Sequence, residues 1–124
     1  MAQSDPPGEL LVILRHAPHG SSWLREGLDA ALVAAAFGQS VTLLFQGEGV
    51  MALLEGQDSG ALGQKGTSAT LEMLGMYDIE SLYVDAAALA RFGLTRDDLL
   101  LAAEPLEAAD TPAILAAHPQ VLVF

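Results

Sequence analysis

The densest set of chemically capable side chains in the sequence follows its first apolar run, where Arg15, His16, Pro18, His19, Gly20 and Ser21 fall within seven residues. Two imidazoles and a guanidinium in a loop that leads into a helix suit anion binding, because helix starts present free N–H groups. The loop carries neither the GxxxxGK[ST] of a phosphate-binding loop nor the GxGxxG of a dinucleotide site, so a nucleotide is not the expected ligand. His16, His19 and a nearby acid could approach a metal, but His-x-x-His outside a helix supplies no fixed third ligand, and no metal is expected. Glu48, in Gly47-Glu48-Gly49-Val50, stands beside a strand end where it could share a pocket with the imidazoles, although the same four residues also read as a plain turn into a short helix.

Two further acidic positions stand out. Asp85 closes an apolar run and precedes an alanine-rich stretch, so it sits where α/β proteins keep functional groups and equally where a helix needs a cap. Tyr77-Asp78-Ile79-Glu80 joins a helix to that run. Its tyrosine and isoleucine read as packing groups and its carboxylates as solvated. No residue is cysteine. A disulfide, a thiolate nucleophile and a cysteine-held metal are all excluded.

The elements that must carry these residues alternate. Apolar runs at 10–15, 41–45, 81–85, 99–103 and 121–124 read as strands, the first as one buried on both faces. Helical spacing marks 23–37, with Ser21 or Ser22 as cap and Gly38 as stop, then 68–76 behind Thr67 or Ser68, 86–92 and 111–117. Residues 50–54 read as a short helical turn and 57–66, rich in glycine, as an exposed loop. Residues 1–9 read as a flexible leader and 10–124 as one domain. The expected fold is a three-layer α/β/α arrangement around a mostly parallel central sheet of about five strands.

Composition narrows the partners. In 124 residues, sixteen acids face five lysines plus arginines, a net charge of -11, which excludes a nucleic-acid or anionic-membrane footprint on this chain. Charged residues amount to only 17%, below the usual quarter, so part of the surface is apolar and available to another protein. The start lacks the basic residues of a signal peptide and no run is long enough to span a bilayer, so the expected location is the cytoplasm. The apolar strand at 121–124 either slots into the sheet or lies at an edge that needs cover. Trp23, Tyr77 and Phe124 are the candidate interface side chains.

Several stretches together resemble the TusC/DsrF-type subunits of the DsrE/DsrF-like sulfur-relay family. They are Ala17-Pro18-His19-Gly20, Arg25-Glu26-Gly27-Leu28-Asp29-Ala30, Gly47-Glu48-Gly49-Val50, Leu74 to Glu80, Ala86 to Gly93, Pro105-Leu106-Glu107-Ala108 and Val121-Leu122-Val123-Phe124. The resemblance spans about residues 10–124. It implies a heterohexamer with TusB-like and TusD-like subunits that passes persulfide sulfur toward the 2-thio group of a tRNA wobble uridine, or a related complex of dissimilatory sulfur oxidation. It also implies that Asp85 stands where the catalytic member holds its relay cysteine. A carboxylate cannot form a persulfide, so the implied role is a non-catalytic partner subunit that needs no cofactor. The alternative from the residues themselves is a stand-alone, possibly homo-oligomeric, small-molecule or anion-binding protein that uses the His16 loop.

Overall fold

A computed structural model describes residues 9–18, 21–54 and 68–124. The strands are β1 (Leu10–Leu14), β2 (Val41–Phe45), β3 (Ser81–Asp85), β4 (Glu104–Leu106) and β5 (Gln120–Val123), and the α-helices are α1 (Trp23–Ala36), α2 (Ser68–Glu72), α3 (Ala86–Arg91) and α4 (Thr111–Ala116). The five strands form one sheet in the order β4-β3-β2-β1-β5. Every pair is parallel, with Leu10 opposite Val41 and Gln120, and Tyr83 opposite Glu104.

This order dictates where the helices go. From β1 to β4 the chain steps in one direction across the sheet, so right-handed crossovers place α1, the segments after β2 and α3 on a single face. The connection through α4 steps back over the whole sheet to β5 and covers the opposite face. Packing agrees. Leu10, Val12 and Leu14 of β1 join Leu24 and Leu28 of α1 and Leu89 of α3 in the larger core, while Leu11 and Ile13 join Leu44 and Leu106 in a smaller one against Ile114 of α4. Both β1 and β2 are buried along their full length, as continuous apolar runs require. Each fully buried leucine contributes about 2 kcal/mol of hydrophobic stabilisation.

Three local expectations change. The fourth strand is Glu104–Leu106, not residues 99–103. Leu99 and Ala103 are buried, but in an irregular segment where Leu99 forms an isolated antiparallel bridge with Leu54 and Leu100 N–H donates to the Leu53 carbonyl at 2.7 Å. Core burial without a ladder produced the apolar run. Proline is tolerated in the true strand because that strand is an edge. The helix expected over 68–76 is instead α2 followed by a 3-10 turn at Leu74–Tyr77, which ends at Asp78 with φ 62°. Ser22 occupies the position before α1 without capping it: its hydroxyl donates to Glu26 Oε2 at 3.2 Å. The leader through residue 8, the loop expected at 57–66 and the Thr67 cap lie outside the described residues.

Candidate functional site

Parallel strands bring their carboxyl ends to one rim of the sheet, and most of the candidate residues gather there. Arg15 and His16 leave β1, Glu48 follows β2 and Asp85 closes β3. The segment after β2 is drawn against the end of β1, where Gln46 N–H donates to the Leu14 carbonyl at 2.9 Å. Gly49 makes this approach possible, since a β-carbon there would overlap the same Leu14 carbonyl. Arg15, His16, Trp23, Glu48, Val123 and Phe124 line one open depression of about 510 Å³. The His16 ring stacks on the Trp23 indole, with centroids 5.7 Å apart and planes 21° from parallel. Ser21 Oγ accepts from Trp23 N–H at 3.4 Å. His19 and Gly20 lie outside the described residues.

Asp85 is held by both of its oxygens. Oδ1 accepts Ala87 N–H at 3.1 Å and caps α3, while Oδ2 accepts Gly47 N–H at 3.4 Å and ties the end of β3 to the segment after β2. A carboxylate committed to two backbone donors at a strand–helix junction is a structural clamp. It has no sulfur to transfer. Among the described residues no three His, Asp or Glu side chains gather where they could hold a metal ion.

The structure separates Tyr77 from this rim. Together with Asp78, Glu80 and Ser81 it borders a depression at the amino ends of β2 and β3, and it packs against the larger core. Phe124 also packs against that core, whereas Trp23 is 49% exposed. The interface candidates therefore lie at different ends of the sheet.

Two features escaped the sequence reading. His118 is buried, with Nδ1 donating to the Ile114 carbonyl at 2.7 Å and Nε2 2.9 Å from Thr42 Oγ1, and so pins the end of α4 to β2. Only its place among apolar residues before Pro119 hinted at burial. The second feature is a groove between α1 and β5, about 850 Å³, lined by Leu10, Ala30, Val33 and Leu122, with Glu26 and Asp29 also among its walls. Its signal was Val33, an apolar residue off the buried stripe of Leu24, Leu28 and Ala31.

Comparison with known proteins gives a consistent picture. The model of the DsrE/DsrF-like family matches residues 9–124. A TusC homolog of Vibrio vulnificus (strain CMCP6) is 36% identical over 94% of this chain and 98% of its own length. The intracellular sulfur oxidation protein DsrF of Allochromatium vinosum is 40% identical over 80% of this chain and 74% of its own. TusC of Escherichia coli O8 (strain IAI1) is 40% identical over 87% and 92%. In three dimensions the chain is similar to the ychN protein of E. coli, with a TM-score of 0.80 over 94% of this chain and 99% of that one at 19% identity, a likeness of fold.

Proposed function

The chain belongs to the DsrE/DsrF-like family as a TusC/DsrF-type member, and from that premise we propose that it is the non-catalytic interaction subunit of a sulfur-relay complex. Its partners in this reading are TusB-like and TusD-like chains, arranged as a heterohexamer in the cytoplasm. The sulfur they pass is destined for the 2-thio group of the tRNA wobble uridine. The observation that carries the proposal is the pairing of end-to-end likeness to TusC with the absence of cysteine. Persulfide exchange needs a thiolate at each station, so this chain cannot be a station. What it can supply is surface. Asp85 supports the same reading, because its carboxylate is occupied in bracing the rim rather than free for chemistry.

Co-expression with TusB-like and TusD-like subunits tests the proposal. One stable complex containing all three chains, together with loss of wobble 2-thiouridine when this chain is deleted, is the expected result. Assembly with intact 2-thiouridine after deletion would move the complex to sulfur oxidation. A chain that binds neither partner at micromolar concentration would instead favour a stand-alone protein using the Arg15–His16 depression.

A further inference from the structure

We infer that the free edge of β5, together with the groove beside α1, is a strand-addition site for an extended, basic segment of a partner subunit. The inference rests on the interaction-subunit reading and adds to it a surface and a mode of binding.

The backbone carries the first half of the argument. Gln120 N–H donates to the Glu9 carbonyl at 3.3 Å, Phe124 N–H donates to the Ile13 carbonyl at 2.8 Å, and the Phe124 carbonyl accepts from Arg15 N–H at 2.8 Å. In a parallel ladder alternate residues turn both backbone groups to the same side. Residues 120, 122 and 124 therefore serve β1, and the N–H and C=O groups of Val121 and Val123 point away from the sheet. Among the described residues no strand pairs with that side. An edge of this kind is a template for another strand, and main-chain bonds to it supply affinity without demanding a particular sequence.

The side chains supply the second half. Leu122 is opposite Val12 and so faces the α1 side, where Val33 is 56% exposed. Val121 and Val123 face the other way and are also exposed. An added strand would thus find apolar contacts on both of its faces. Glu26 and Asp29 of α1 stand at the groove, and no lysine or arginine is among the residues that line it. A second copy of this chain would bring the same two carboxylates and a further net charge of -11. Charge complementarity selects a different chain, with apolar residues directed into the groove and a lysine or arginine where it passes Glu26 and Asp29.

The test is residue-resolved amide hydrogen exchange on the chain alone and in complex with TusB-like and TusD-like subunits. Val121 and Val123 amides should exchange fast in the isolated chain and at least about tenfold more slowly in the complex. Leu122 and Phe124 amides should be slow in both. Val123→Pro removes one outward N–H and no bond to β1, and should weaken assembly roughly tenfold or more. Glu26→Gln combined with Asp29→Asn leaves the β5 backbone untouched, and should weaken assembly and flatten its salt dependence even if the proline variant fails to fold. A wild-type complex in which the two amides stay fast, or which these variants enter unchanged, overturns the inference and leaves the interaction-subunit reading standing. Protection of both amides in the isolated chain also overturns it, because the edge would already be covered. Failure of the wild-type chain to assemble removes the underlying reading as well.

Discussion

At one edge of the sheet β4 contributes three residues, of which Glu104 lies 3.8 Å from Arg96 as an exposed ion pair and Pro105 has no N–H to offer. At the other edge β5 contributes Gln120, Val121, Leu122 and Val123, without a charge or a proline, and Val123 is 53% exposed. Short length, charge and proline are the means by which proteins keep sheet edges from pairing. β4 uses all three, whereas β5, one residue longer, carries neither charge nor proline. Among the described residues, therefore, one edge is guarded and the other is left unpaired, and the unpaired edge adjoins the only long helix. In the proposed reading, function in this chain resides in that asymmetry rather than in a reactive side chain.

The largest effect should come from disturbing the seat of β5. A β-carbon at Gly27 would meet Leu14 Cδ2 and lie 3.0 Å from Phe124, the residue that anchors β5 to β1. Gly27→Val should cost about 3 kcal/mol in chemical denaturation, and exchange should speed up at β5 before β4. His118→Ala comes next. It leaves the buried Thr42 hydroxyl without its imidazole partner, takes one of two donors from the Ile114 carbonyl and loosens the crossover that delivers β5, at a cost of about 2 kcal/mol. Asp85→Ala acts nearer the closed edge, where β3 pairs with β4, and should cost about 1 kcal/mol through loss of the α3 cap. Sulfur transfer in the assembled complex should be nearly unchanged by it. The smallest effect on stability should be Val123→Lys, within about 0.5 kcal/mol. That variant gives β5 the guard that β4 already has, so sedimentation should show weaker association with partners at almost unaltered stability.

How much of this was legible depended on which signal each element leaves. β1 and β2 are buried along their length and show as largely apolar runs. β3 shows through Leu82, Tyr83 and Val84, although only Leu82 and Val84 are buried, and Asp85 as a cap followed from its place before the alanine-rich α3. β4 was invisible because an edge strand needs neither continuous apolarity nor every N–H, and Glu104-Pro105 erased both marks. The neighbouring run at Leu99–Ala103 is apolar for core contact alone. That β5 is an edge was one of two open readings. Strand order decides between them, and order follows from crossover direction, which local pattern does not encode. The groove was hidden for a similar reason, since Val33 and Leu122 are 89 positions apart and meet only once β5 lies beside β1. Likewise nothing near His118 names Thr42, 76 positions away, as its partner.

In the proposed function this chain contributes contact surface to a sulfur relay while carrying no sulfur itself. Intact-mass analysis of the reconstituted complex with TusB-like and TusD-like subunits, taken during turnover with a persulfidated donor, tests it directly. This chain should co-purify with the others at its unmodified mass, while a thiol-reversible gain of one sulfur atom appears on the cysteine-bearing partner. A thiol-reversible gain of sulfur on this chain, or an active complex from which it is absent, would rule out a non-catalytic interaction subunit.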